Sequence, residues 1–127
     1  MQLALKDELP FVCVTVSYQG TEIEVTDVLV DTGSATTILA ADQVARIGIV
    51  PELADVLYTV RGVGGIETVF TRRVEHLRIG HREIAGFEIE VGGMDYGFEI
   101  QGILGMDFLT QAGAIINLHD LSLGFSS

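Results

Sequence analysis

The sequence is poor in cysteine, proline, tryptophan and positive charge. Its 127 residues include one cysteine, two prolines and no tryptophan, so no disulfide can form within the chain and a cysteine cluster that binds zinc is excluded. Seven lysines and arginines stand against 18 acids, which gives a net charge of -11. This charge repels nucleic-acid backbones and anionic membrane surfaces, so we expect neither as a partner.

Long hydrophobic runs are also missing. No stretch approaches the length of a membrane span. The N-terminal residues Met1 to Glu8 lack the basic region and following apolar run of a signal peptide. By default we therefore expect a cytoplasmic protein, while a trimmed form of an anchored or exported protein would have the same sequence.

The residues that commonly bind metals or act as nucleophiles are sparse. None of the three histidines stands at metal-ligand spacing from another. Cys13 lies in the apolar run Phe11-Val12-Cys13-Val14, which predicts a buried structural thiol rather than a reactive one. We predict no metal site from this pattern.

What the sequence does contain is a series of short apolar runs separated by glycine-rich turns. Hydrophobic residues make up 48% of the chain and there are 15 glycines, which favours one all-β domain over residues 1–127, with a closed barrel and one or two short helices. The predicted strands pair as hairpins 11–18/21–30, 57–60/66–70, 74–79/84–91 and 114–118/121–125, with a further strand over 98–104 and helices over 40–47 and 106–111.

One strand ends on an acid in an unusual context. Val28-Leu29-Val30 predicts a buried strand, and Asp31-Thr32-Gly33-Ser34 follows it directly. A carboxylate after so apolar a strand needs hydrogen-bond partners, which the two hydroxyls and the glycine backbone can supply. On its own the stretch fits two interpretations, an ordinary Asx turn or a functional acid.

Two later features narrow that choice. Gly62-Val63-Gly64-Gly65-Ile66 forms the glycine-rich tip of a predicted hairpin, and Ile103-Leu104-Gly105 precedes a short predicted helix. An apolar-apolar-Asp-Thr-Gly-Ser stretch, a glycine-tipped hairpin and a late apolar-apolar-Gly, in this order, resemble the retroviral-type aspartic proteases (retropepsins). The resemblance covers about residues 10–125.

The resemblance implies a role for each matched residue. Asp31 would be the catalytic carboxylate, Thr32 would hydrogen-bond to its symmetry mate, Gly33 would let the substrate backbone lie close, and Ser34 would hydrogen-bond a carboxylate oxygen. The tip Gly62, Val63, Gly64, Gly65 and Ile66 would belong to a flap that closes over a peptide. Ile103, Leu104 and Gly105 would pack beneath the active-site loop.

The mechanism of this family requires two carboxylates, and the chain has one Asp-Thr-Gly motif. The resemblance therefore implies a homodimer that brings two Asp31 side chains together on its axis and hydrolyses extended peptides or proteins. No cofactor is expected, because water is the nucleophile. The absence of flanking polyprotein sequence favours a stand-alone cellular or bacterial member over a viral one.

Two other functions stay open from the sequence. The same fold could bind peptides or mediate dimerisation without cleaving, although the intact Asp31 to Ser34 motif argues against this. The chain could also be a small β-barrel in which Asp31 only stabilises a turn. For a protease, the apolar lining expected from Gly33, Val63, Ile66 and Ile103 predicts apolar side chains on both sides of the cut bond.

Overall fold

The computed structural model describes residues 1–62, 65–94 and 99–126. Within these ranges strands dominate and the helices are short, which confirms the predicted all-β class. The strands are β1 (Ala4–Lys6), β2 (Leu9–Tyr18), β3 (Thr21–Val30), β4 (Ile38–Ala40), β5 (Tyr58–Gly62), β6 (Gly65–Arg73), β7 (His76–Ile79), β8 (Arg82–Ala85), β9 (Glu88–Gly92), β10 (Gly102–Leu104), β11 (Ala114–Asn117) and β12 (Ser122–Phe125). The helices are α1 (Ala41–Val44), extended by a 3-10 turn (Ala45–Ile47), and α2 (Met106–Ala112).

Most of the described strands belong to one sheet. Its order is β5-β6-β9-β4-β10-β3-β2-β7-β8. Strand β1 pairs with the first three residues of β2. Strands β11 and β12 form a separate hairpin. The described order is open at β5 and β8, so the closed barrel in our fold prediction is not confirmed.

The centre of the sheet places two distant parts of the chain side by side. Strand β10 runs parallel to β3, with Leu104 opposite Val30, and antiparallel to β4. The pairing leaves little room for a side chain at position 102, because a Cβ atom there would lie 2.7 Å from a methyl carbon of Leu39 and 3.0 Å from the Ile38 carbonyl oxygen. The ends of β3 and β10, which precede Asp31 and Gly105, therefore lie side by side at the same end of the sheet.

A β-bulge in β3 determines on which face of the strand the later residues, including Asp31, lie. Val12 pairs with Val28 but Val14 pairs with Val25, so one residue of β2 faces two residues of β3. Asp27 is the extra residue and has a left-handed backbone, with φ of 57°. The insertion reverses the alternation of side chains, so Val28 and Val30 point into the core. Asp31, the residue after Val30, therefore lies on the opposite face.

Two groups of buried side chains hold the layers together. The larger group includes Val14, Val16, Leu77 and Phe108, and the Phe108 ring packs edge-on against Phe87 at a centroid distance of 5.7 Å. The smaller group lies on the other side of the central strands and contains Phe11, Ile38, Val69, Ile100 and Ile103. Helix α2 is thus fixed to the sheet by Phe108.

The prediction of a buried Cys13 was wrong. Its side chain is exposed, because Val12, Val14 and Val16 occupy the core-facing positions of β2. Phe11 is also buried, but in the smaller apolar group on the opposite face of the strand. Phe11 and Val12 are therefore buried on opposite faces of β2. Cys13, the next residue, is exposed.

The predicted strands differ from the observed ones at several boundaries. The stretch 84–91 is not one strand, because the chain turns at Gly86, whose φ is 62°, between β8 and β9. The segment predicted as a strand over 98–104 has only its last three residues in β10, and residue 98 lies outside the described ranges. Strand β1 was not predicted.

Candidate active site

The carboxylate of Asp31 lies in a tight turn at the end of β3. The Asp31 N–H donates a hydrogen bond to the Leu104 carbonyl oxygen at 3.0 Å, which continues the parallel pairing one residue beyond the strand. The Gly33 N–H donates to Asp31 Oδ1 at 2.9 Å, and the Ser34 N–H donates to the Asp31 carbonyl at 3.2 Å. One backbone donor, the Gly33 N–H, therefore holds the carboxylate, the other two bonds hold the backbone of the turn, and the Asp31 side chain stays partly exposed to solvent.

The three residues after Asp31 differ in their surroundings. A Cβ atom at Gly33 would lie 3.2 Å from Asp31 Oδ1, so a side chain there would press on the carboxylate. Thr32 is exposed. The hydroxyl of Ser34 donates to the carbonyl oxygen of Thr36 at 2.8 Å, not to the Asp31 carboxylate as the resemblance implied. The serine stabilises the loop backbone, because its own turn places the Thr36 carbonyl within reach.

Gly105 packs directly against the loop that carries Asp31. A Cβ atom at this position would lie 2.2 Å from the Thr36 carbonyl oxygen and 2.9 Å from the Ser34 carbonyl oxygen. Leu104 is fully buried in the larger apolar group, and Ile103 is buried in the smaller one. The Met106 N–H, the next along the chain, donates to the Ser34 carbonyl at 2.8 Å. Gly105 thus contacts the loop directly, whereas Ile103 and Leu104 are core residues of the strand that leads to it.

The glycine-rich segment joins the two strands of a hairpin. Strands β5 and β6 pair from Tyr58↔Val69 to Gly62↔Gly65, with Ile66 opposite Arg61. Val63 and Gly64, which were predicted as part of the same tip, lie outside the described residues. Strand β6 continues into the central sheet through β9.

Comparison with protein families identifies the family to which this chain belongs. The sequence model of a family described as "Aspartyl protease" matches residues 14–108, a span that includes Asp31, the β5–β6 hairpin and Gly105. The chain belongs to the aspartyl protease family, in the retropepsin-like clan. The predicted family is therefore confirmed, and with it a general function as a protease hydrolase. Among curated proteins, the comparison finds no match to this chain.

A buried threonine and an aspartate, which sequence reasoning did not single out, support the loop of this aspartyl protease. Thr37 is fully buried; its hydroxyl donates to Asp107 Oδ1 at 2.7 Å and accepts from the Gly105 N–H at 3.0 Å. Asp107 Oδ2 accepts from the Thr37 N–H at 3.2 Å, and Oδ1 also accepts from the Phe108 N–H at 2.7 Å. The available signal was an acid in the first turn of a predicted helix, where backbone N–H groups need acceptors.

Glu90 was also missed, although it is one of the few buried charged residues. Glu90 Oε1 accepts a hydrogen bond from the Thr36 hydroxyl at 2.6 Å, and Oε2 accepts one from the Tyr58 hydroxyl at 2.5 Å. Burial and the hydrogen bond to Glu90 raise the pKa of Tyr58, so its hydroxyl stays protonated as a donor. An alternating strand sequence gives no sign that this acid faces inward.

The described residues also bear on metals and membranes. No group of three or more His, Cys, Asp or Glu side chains in these ranges is positioned to bind a metal ion. Within the same ranges, no helix has the length and apolar character needed to cross a bilayer.

Proposed function

We propose that this aspartyl protease is an endopeptidase whose active unit is a homodimer, with one Asp31 from each protomer in the catalytic dyad. The observation that carries the proposal is the single Asp-Thr-Gly motif, which ends β3 with a half-exposed carboxylate. Aspartic proteases are the reference example of two carboxylates that lie about 3 Å apart and share one proton. One chain contributes one such carboxylate, so the second must come from another copy.

An apolar surface beside the motif supports self-association. Exposed Thr32 borders a concavity of about 400 Å³ that is also lined by Met106 and Ile116. Met106 is 37% exposed, and Ile115 on the neighbouring strand β11 is 56% exposed. A second copy related by a two-fold axis through this region would cover these side chains and bring the two Thr32 residues together, as the family resemblance implies.

The terminal strands also leave an edge for a partner. Residues 1–3 lie along β12, with hydrogen bonds from Leu3 N to the Leu121 carbonyl at 2.7 Å and from Leu123 N to the Met1 carbonyl at 2.8 Å. Among the described strands, β11 pairs with β12 alone. Its other edge is therefore suited to pairing with a partner chain.

In the proposed mechanism, the unprotonated carboxylate of the dyad takes a proton from a water molecule as the water oxygen attacks the peptide carbonyl carbon. The other carboxyl gives its proton to the amide nitrogen as the C–N bond breaks. The products are a carboxylic acid and an amine, and the dyad again holds one shared proton. The Gly33 N–H, at 2.9 Å from Asp31 Oδ1, would orient each carboxylate throughout.

The substrate would bind as an extended peptide between the Asp31 turn and the β5–β6 hairpin, with this hairpin as the flap. Strand-like backbone bonds give such sites their affinity, and alternating pockets give them selectivity. The apolar lining predicted from Gly33, Val63, Ile66 and Ile103 leads us to expect apolar residues on both sides of the cleaved bond.

The test is to incubate the protein with a mixture of denatured polypeptides from pH 3 to 7, the range suggested by carboxylate dyads, and to identify new termini by mass spectrometry. We expect cleavage by the native protein and none by Asp31→Asn, with both sedimenting as dimers. Peptide binding without new termini would instead support the non-catalytic module. Full activity from a protein that sediments only as a monomer at micromolar concentration would disprove the shared dyad.

A further inference from the structure

Glu90 lies between the two parts of the site that the proposed function requires, the loop that carries Asp31 and the β5–β6 hairpin. Its backbone is fixed on both sides, because it pairs with Ile38 of β4 and with Thr71 of β6, and its N–H donates to the Thr37 carbonyl at 2.9 Å. Strand β4 follows the active-site loop, and β6 is the returning strand of the hairpin. The Glu90 side chain is thus mounted on the rigid sheet that joins loop and hairpin.

The carboxylate connects these two parts a second time, through side chains. Tyr58 begins the outgoing strand β5, and its hydroxyl donates to Oε2 at 2.5 Å. Thr36 belongs to the active-site loop, and its hydroxyl donates to Oε1 at 2.6 Å. Both hydrogen bonds end on the same carboxyl group, which is only 9% exposed, while the donors Thr36 and Tyr58 are exposed.

The connection continues to the catalytic turn. The carbonyl oxygen of Thr36 accepts the hydroxyl hydrogen bond of Ser34 at 2.8 Å, and the Ser34 N–H donates to the Asp31 carbonyl at 3.2 Å. We call Tyr58, Glu90 and Thr36, with their two hydrogen bonds, the Glu90 bridge. It runs from the base of the hairpin to within a few residues of Asp31.

We infer that Glu90 is a positioning residue that holds the base of the β5–β6 hairpin at a fixed place relative to the Asp31 loop. The inference rests on the proposed function of this hairpin as a flap. Because the two hydrogen bonds act in series, loss of either one breaks the side-chain connection between the hairpin base and the loop, and only the backbone pairing through β9 remains. The Glu90 bridge should therefore affect substrate capture, measured as KM, far more than the chemical step, measured as kcat.

The test compares Tyr58→Phe, Thr36→Val and the double variant in peptide hydrolysis. Each single change removes one hydroxyl, and we expect each to raise KM roughly three- to tenfold, with kcat within about twofold of native. The double variant should raise KM no further than the larger single effect, because the connection is already broken. Effects that multiply in the double variant, or an unchanged KM in the singles, would overturn the inference.

Variants at Glu90 itself provide the rescue and the control. Glu90→Gln keeps one acceptor oxygen and adds an NH2 group that can donate to a hydroxyl, so its KM should lie between native and double-variant values. Glu88→Gln removes an equal charge from an exposed position two residues earlier on the same face of β9, where Glu88 pairs with Arg73 at 3.8 Å, and should leave KM unchanged. An equal rise in KM for Glu88→Gln would assign the effect to net charge alone.

Hydrogen exchange tests the inference even if the native protein cleaves no peptide. Thr36→Val lies in the loop, yet it should speed amide exchange in the two hairpin strands, over residues 58–62 and 65–73. Tyr58→Phe should speed exchange over residues 31–37. Reciprocal changes with no peptidase activity would keep the Glu90 bridge and reject the proposed function, whereas changes confined to the mutated segment would reject the bridge.

Discussion

The carbonyl oxygen of Thr36 lies 2.2 Å from the place where a Cβ atom of residue 105 would stand. Real atoms do not approach so closely, and the obstructing atom is backbone that cannot rotate away. Gly105 is therefore required by its contact with the loop that carries Asp31 rather than by its own φ and ψ angles. The close approach also lets the Gly105 N–H reach the Thr37 hydroxyl at 3.0 Å.

Gly105→Ala should displace the loop that carries Asp31. We expect the free energy of unfolding to fall by at least about 2 kcal/mol, since overpacking at an unyielding site costs that much. We also expect kcat/KM to fall more than about tenfold, because Asp31 is the proposed catalytic carboxylate and displacement of such a group by an ångström costs this much or more. Urea unfolding and peptide hydrolysis measure the two effects.

Gly124→Ala is the matched control for that prediction. Gly124 lies in β12, and a Cβ atom there would have no neighbour within 4 Å. The same substitution should change stability by less than about 0.5 kcal/mol. If Gly105→Ala behaves like Gly124→Ala, then the packing of Gly105 against Thr36 does not constrain the site.

The contrast between Gly105 and Glu90 shows how far sequence reasoning reached. Gly105 could be predicted because its motif is contiguous in the sequence: an apolar pair, then a glycine, then a helix. The hydrogen bonds of Glu90 join Thr36 and Tyr58, which are 54 and 32 residues away along the chain. No local pattern encodes such contacts, because they depend on the register in which β9 packs between β4 and β6.

The bulge at Asp27 limited the prediction in a similar way. Alternation alone identified both strands of the β2–β3 hairpin, but it could not show that one extra residue reverses the face of β3. The partner of the Ser34 hydroxyl also differs from the one that the resemblance implied, because the hydroxyl donates to the Thr36 carbonyl oxygen of its own loop.

Asp27 should be replaceable by glycine but not by valine. The left-handed φ of 57° suits glycine, whereas a β-branched residue is strained there. We expect Asp27→Val to unfold at least about 1–2 kcal/mol more easily than Asp27→Gly, and to lose more peptidase activity because β3 shifts toward a regular register. Urea denaturation of both variants measures the difference.

A third variant separates the backbone from the ion pair at this bulge. Asp27 also pairs with Lys6, whose side chain is partly exposed. Lys6→Met should therefore cost less than about 1 kcal/mol. A loss as large as that of Asp27→Val would mean that the ion pair, rather than the left-handed backbone, maintains the bulge.

Thr37→Val should destabilise the active-site loop through unpaired polar groups. The substitution keeps the shape of the side chain but removes the acceptor of the Gly105 N–H and the donor to Asp107 Oδ1. Because the site is buried, we expect a loss of about 2–3 kcal/mol in unfolding free energy. Thr37→Ser retains the hydroxyl and should lose less than half as much. Equal losses would attribute the effect to packing of the methyl group.

Ile115→Asp should weaken the proposed dimer without unfolding the protomer. Ile115 is 56% exposed on β11, so a charge is tolerated in the free chain but would be buried, unpaired, in an interface. We expect sedimentation to show a shift toward monomer, with activity falling in parallel and restored at higher protein concentration. Leu53→Asp makes the same kind of change at an exposed residue outside β11 and should leave both unchanged.

A mixture of native and Asp31→Asn chains tests whether two copies share one active site. If each site needs an Asp31 from both chains, random pairing of an equal mixture leaves about one quarter of the dimers active, whereas self-contained sites would leave about one half of the sites active. Activity per native chain should therefore fall by about half on equilibration with an equal amount of the variant. The Ile115→Asp variant dimerises poorly, so adding the same amount of it should lower the activity per native chain far less. Unchanged activity per native chain after full exchange would place the whole site in one protomer.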